Sequence, residues 1–103
     1  MDTRHIRAAV EVARSGSFTE ASRRLFMAQS TVSRQVACLE RDLGVQLFER
    51  GSRWVEPTDR GRAFLLQAEI VLTAVDDAHR ACQGSHPSAG LARAGERLPA
   101  RPG

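Results

Sequence analysis

The chain has 103 residues, enough for one domain with a modest core of three or four helices and too few for a large enzyme cleft. Its 15 basic residues are all Arg, set against 12 acids for a net charge of +3 and a pI near 10.0, a balance that permits nucleic-acid binding. No apolar run approaches the roughly 20 residues of a membrane span, and residues 1–16 lack the apolar centre of a secretion signal, so a soluble cytoplasmic protein is expected.

A first helix begins at Asp2 or Thr3 as its cap, with Ile6, Ala9, Val10 and Ala13 as its inner stripe and Ser15-Gly16 as its end. Ser17-Phe18-Thr19-Glu20 fits a capping box that opens a second helix, whose inner side is Phe18, Ala21 and Leu25. Small Ala21 and Ser22 suit a close helix crossing.

Only a few residues then turn the chain into a third helix, read over Met27 to Gly44, so the pair makes a helix-turn-helix. The same short connection serves an ordinary helical hairpin that never touches DNA. The face of the third helix favours the DNA reading. Val32, Val36, Leu39 and Leu43 form its buried stripe, and the start of the opposite face offers Gln29, Ser30, Thr31, Ser33, Arg34 and Gln35. Short hydroxyls, amides and a guanidinium are groups that read base edges and phosphates. Gly44 ends this helix.

Two short strands, Gln46 to Arg50 and Arg53 to Glu56, are predicted around Gly51-Ser52, with Arg50, Arg53 and Trp54 near the tip. A helix-turn-helix followed by such a hairpin is a winged helix, and a wing Arg can reach phosphates or a narrow minor groove. The plainer reading pairs the wing Arg with Glu49 or Glu56. Thr58 then caps a long helix over residues 58–82. Phe64, Ala68, Val71, Val75, Ala78 and Cys82 repeat along it at spacings of four and three, a seam for pairing with a second copy, with Leu65 and Leu72 beside it. A helix folded back on its own domain is the alternative. Residues 83–103, rich in Gly, Pro, Ala and Arg, carry no apolar periodicity and are expected to be disordered.

The basic excess lies early: residues 1–62 hold 11 Arg against eight acids, and the remainder holds four of each. The all-Arg usage suits phosphate and guanine recognition, although a GC-rich coding sequence produces the same bias. Cys38 and Cys82 with His5, His79 and His86 have neither disulfide-framework nor metal-site spacing, so no metal, no cofactor and no catalysis are expected.

Ser17-Phe18, Ala21, Leu25, Gln29, Ser33-Arg34-Gln35, Leu39-Glu40, Leu43-Gly44, Leu47-Phe48, Arg50, Thr58 and Gly61, in this order, resemble the N-terminal DNA-binding domain of LysR-type transcriptional regulators over roughly residues 2–82. The resemblance implies a mainly α fold, a winged helix-turn-helix over 1–57 followed by a dimerising linker helix over 58–82, in a bacterial cytoplasmic regulator that binds partly palindromic double-stranded operators as a homodimer. By position it makes Gln29, Ser30, Thr31, Ser33 and Arg34 major-groove readers and Arg53 the wing residue in the minor groove.

Ser22, Ala28, Ser30 and Pro57 depart from the family's usual pattern. Ala28 stands where a capping Ser or Thr is common, a loss of about 1 kcal/mol unless Gln29 or Ser30 substitutes. Family members also carry a long effector-binding α/β domain after the linker helix, and here residues 83–103 follow instead, so effector sensing is expected to be absent. The competing reading is a protein-interaction module that forms mixed dimers with full-length relatives and no longer binds DNA specifically.

Overall fold

In the computed structural model, which describes residues 1–51 and 54–84, four helices and a two-stranded hairpin follow one another as α1 (Thr3–Ser15), α2 (Phe18–Leu25), α3 (Gln29–Leu43), β1 (Phe48–Arg50), β2 (Val55–Pro57) and α4 (Asp59–Cys82). The fold is thus the mainly α winged helix expected from the sequence. Residues 1–72 form one compact unit, and α4 runs past its end to Cys82.

Helix α1 starts at Asp2, whose side chain accepts the Arg4 N–H at 2.8 Å and the Arg4 guanidinium. The side-chain bond from Arg4, then the backbone bond, holds the Asp2 carboxyl well below the usual carboxylate range. At the other end Gly16 takes the left-handed conformation that closes the helix, with φ of 71°. Its buried surface is wider than the expected stripe. Ala8 and Val12 join Ile6, Ala9 and Val10 in the core, because α1 packs against α2, α3 and β2 and is covered on several sides.

The Ser17 hydroxyl caps α2 by accepting the Glu20 N–H at 3.0 Å. Only half of the capping box forms, since the Glu20 carboxylate turns to Arg23 and Arg24. The helix ends at Phe26, a non-glycine residue at φ 55°, and Met27 N–H closes back onto the Ser22 carbonyl at 3.0 Å. Phe26 is left 95% exposed at this turn. Helix α3 then begins two residues later than the reading from Met27, and Val32, Val36 and Leu39 bury its inner face, with Leu43 half-buried.

The hairpin is antiparallel, pairing Phe48 with Pro57, Glu49 with Glu56 and Arg50 with Val55. Its strands are shorter than predicted and β2 starts two residues later, which leaves Trp54 before the ladder and not within it. Gln46 and Leu47 are excluded from β1 for a physical reason: the Gln46 carbonyl accepts the Thr58 hydroxyl at 2.7 Å, and the Leu47 carbonyl accepts the Thr58 N–H at 2.9 Å. These groups tie the wing to α4 instead of to its own partner strand. The Thr58 hydroxyl also accepts the Gly61 N–H at 2.9 Å, the cap expected for α4.

The core collects Val10, Val12, Val32, Val36, Leu39, Leu47 and Phe48 with Leu65, Ala68 and Leu72 of α4. The expected seam residues of α4 divide between two environments, and Ala68 differs from its expected place. Ala68 is buried in the domain's own core, Phe64 is half-buried against it, and Leu65 and Leu72 face inward and do not flank an external seam. Val71, Val75, Ala78 and Cys82 are exposed, as are Leu66 at 70% and Ile70 at 63%.

Gly61 permits the crossing of α4 over the wing root, since a Cβ there would stand 2.1 Å from the Leu47 carbonyl oxygen. Backbone on both sides cannot give way cheaply. Gly61→Ala is therefore expected to destabilise the domain by about 3 kcal/mol and to lower the thermal midpoint by roughly 10 °C or more, read by circular dichroism melting.

Candidate nucleic-acid interface

Helix α3 enters the structure with an unprotected N-terminus. Its cap residue Ala28 makes no side-chain hydrogen bond, and its first turn has no acid. Thr31 and Val32 N–H both reach the Ala28 carbonyl, at 3.0 and 3.2 Å, while the N–H groups of Gln29 and Ser30 take no partner from the described residues. Free N–H groups at the positive end of a helix dipole attract anions.

The structure brings most of the expected reading residues to one exposed end of α3. Gln29, Ser30, Ser33 and Arg34 are exposed and Thr31 is half-buried. Ser33 makes no hydrogen bond back to the helix, and Arg34 has no ion pair among the described residues. Gln35 differs from its expected place: it is half-buried, with Oε1 enclosed and unpartnered, so it does not belong to the open face. Arg53 lies outside the described residues.

Gln29 is not free to turn. The Thr19 hydroxyl, from the first turn of α2, donates to Gln29 Oε1 at 2.9 Å. This engages the amide oxygen and leaves the Nε2 hydrogens without an acceptor among the described residues. Sequence reasoning missed Thr19, which it placed only in a capping box; nothing in a ten-residue separation shows that the two side chains meet.

A second missed residue is Glu40, on the inner side of α3. Its Oε2 accepts the Leu47 N–H at 2.8 Å and the Phe48 N–H at 3.4 Å, and its Oε1 lies 3.8 Å from the Arg50 guanidinium. Arg50 does not pair with Glu49 or Glu56 as the plainer reading had it. It stacks 5.0 Å over the Phe18 ring, which itself meets Phe48 edge-on at 6.4 Å between centroids. Thus α2, α3 and the wing share one fixed junction. Val55 N–H adds a tie from β2 to the Gly16 carbonyl at 3.3 Å.

Beside this junction an open groove is lined by Ser17, Phe18, Thr19, Gln29, Arg50, Gly51, Trp54 and Val55. The arrangement offers hydrogen-bond donors and fixed cations, not a reaction centre. Among the described residues no three His, Cys, Asp or Glu side chains gather to hold a metal ion, and no helix is long and apolar enough to cross a membrane.

The family model described as bacterial regulatory helix-turn-helix protein, lysR family, matches residues 3–62. The HTH-type transcriptional regulator BenM of Acinetobacter baylyi is 46% identical over 76 residues, which cover 74% of this chain and 25% of that protein. An uncharacterized HTH-type transcriptional regulator from the ibpB-leuC intergenic region of Azotobacter vinelandii is 43% identical over 81 residues, 79% of this chain and 56% of its own length. The chain therefore spans between a quarter and a little over half of these relatives. Among solved structures, the BenM DNA-binding domain in complex with benA site 1 DNA aligns with a TM-score of 0.76 at 42% identity, covering 81% of this chain and 96% of that one. The CbnR DNA-binding domain in complex with DNA aligns with a TM-score of 0.76 at 35% identity, covering 81% and 95%.

Removing the Glu40 carboxylate leaves two wing-root N–H groups without their acceptor. In Glu40→Ala the amides of Leu47 and Phe48 are expected to exchange with solvent about tenfold faster or more, while those of the centre of α1 keep their protection. Native-state hydrogen exchange by NMR reads both at once.

Proposed function

The chain belongs to the lysR family of bacterial regulatory helix-turn-helix proteins and carries its DNA-binding domain, and on that premise we propose that it reads a partly palindromic double-stranded operator as a homodimer. The observation that carries this reading is the end of α3: an uncapped helix N-terminus, a braced Gln29 and an unpaired Arg34 on one exposed face. A helix presented in this way enters a major groove by its N-terminal residues.

In this reading residues 1–57 recognise DNA. Gln29 donates its Nε2 hydrogens to acceptors on a base edge, and Arg34 forms the two-pronged contact that a guanine O6 and N7 accept. Ser30, Thr31 and Ser33 supply shorter contacts to bases or phosphates, and the N–H groups of Gln29 and Ser30 hold a phosphate. Arg53 reaches the minor groove, by analogy with the family's wing. Residues 58–82 join two copies. Val71, Val75, Ala78 and Cys82 then supply the contact, with Phe64 at its edge and Ala68 bracing α4 from the core side. The length of α4, 24 residues and about 36 Å, together with the apolar side chains that it leaves open, supports that assignment.

Selection of bound sites from a random duplex library at near-physiological salt tests the proposal as a whole. Enrichment of paired half-sites is expected; salt-sensitive binding with no enriched sequence would refute it. Within such a site Arg34→Ala is expected to lose roughly 1–3 kcal/mol and to relax preference at one base pair, whereas a uniform loss over all sequences assigns Arg34 to phosphate.

The pairing of copies has its own measurement. Val75→Asp puts a charge into the apolar contact of α4 and is expected to halve the mass seen by light scattering after size-exclusion chromatography. An unchanged mass places the contact elsewhere on the chain.

A further inference from the structure

Trp54 is the one Trp of the chain, and it stands 66% exposed at the wing. A Trp presents a large flat apolar face with a polar N–H at its edge, a surface on which a sugar or base can pack. Its two sides differ in charge. On one side lies the groove formed with Ser17, Phe18, Thr19, Gln29 and Arg50, and none of the described residues that line it is an acid. On the other side Trp54 borders a second depression, where Arg50 is outnumbered by Glu49 and Glu56, which face each other across the hairpin. A polyanion is accepted by the first side and repelled by the second.

The first groove also contains Gln29, the side chain that the Thr19 hydroxyl fixes at the head of α3. A strand whose base meets Gln29 thus has Arg50 and Trp54 beside it in the same groove. Arg50 is already held in place, 5.0 Å over Phe18 and 3.8 Å from the Glu40 carboxylate, so its guanidinium loses little freedom when a phosphate arrives.

We propose that Trp54 and Arg50 form a seat for the sugar–phosphate backbone of the strand read by Gln29, with Trp54 packing on a deoxyribose and Arg50 holding the adjoining phosphate. The proposal rests on the DNA-reading assignment of α3 and adds to it a grip that is blind to sequence. Sugars and phosphates are the same at every step of the duplex. Trp54 is thus a positioning residue, one that fixes how deeply α3 enters and not which base it selects.

The single Trp makes the test direct. The full chain is titrated at low ionic strength with a duplex of mixed sequence, followed by Trp54 emission, and in parallel by the anisotropy of the same duplex carrying a fluorescein label. Emission is expected to be quenched along the same curve as the anisotropy rises. Trp54→Ala, checked for unchanged helix content by circular dichroism, is expected to bind about tenfold more weakly with the same loss for selected and mixed-sequence duplexes, and Trp54→Phe to recover most of that loss. Rising anisotropy with flat emission overturns the seat while leaving the DNA reading intact, as does a Trp54→Ala protein that binds as the parent does. A loss confined to the selected duplex reassigns Trp54 to base reading and overturns it as well. Absence of any anisotropy change overturns both readings together.

Discussion

The peptide unit of Leu47 is the point on which the rest of the domain turns. Its N–H is held by the Glu40 carboxylate of α3, its carbonyl by the Thr58 N–H before α4, and its side chain is fully buried. Gly61 of α4 lies so close to that carbonyl that no Cβ fits between them. One residue between helix and wing thus joins α3, the hairpin and α4, and all three are oriented by backbone hydrogen bonds that carry little slack. A buried N–H or C=O that lost its partner would cost more than the bond contributes, so the junction is held by the penalty for opening it.

That junction explains how so small a body can hold an interface steady. Two short strands would be marginal on their own. Here β1 is anchored through Glu40 and Arg50, and β2 through the Gly16 carbonyl, so the wing is fixed with respect to both helices of the helix-turn-helix. The same logic reaches the exposed end of α3. Thr19 holds Gln29, and Phe18 holds Arg50, both from the first turn of α2. The short second helix therefore serves less as core than as a bracket for side chains presented by its neighbours, and side chains fixed before contact lose less entropy on binding.

Much of this fold was legible from the sequence because its signals are local. Ser17, Gly16, Gly44 and Thr58 mark element ends through contacts within a few residues, and the α3 stripe of Val32, Val36 and Leu39 follows the helix repeat. What escaped depends on long-range packing. The inner ring of α1 includes Ala8 and Val12 because neighbours cover it on several sides, and periodicity alone describes a helix covered on one. Ala68 was read as seam because it repeats with Val71 and Val75, yet the same register also passes the core, and a small side chain fits either place. Glu40 entered the sequence reading only through the family resemblance, since the N–H groups that it serves lie seven and eight residues away in a segment with no helical spacing to it. For the candidate site, the exposed end of α3 was legible residue by residue, apart from Gln35, whose half-buried position no pattern of polarity could show.

The charge of the chain gains meaning only through this arrangement. An excess of Arg is ambiguous in a composition, because coding bias produces it as readily as selection for anions does. In the fold several acids are held by particular partners on the surface: Asp2 by Arg4, Glu20 by Arg23 and Arg24, Glu69 by Arg14 and Asp77 by Arg80. These exposed pairs contribute little to stability. Their effect is on the field, since a paired guanidinium attracts a distant anion far less than a bare one. Arg34 has no such partner among the described residues, and it stands on the helix whose free N–H groups already favour negative charge. An unpaired guanidinium beside free N–H groups concentrates positive potential at one end of α3, which the same charge spread evenly over the surface would not do.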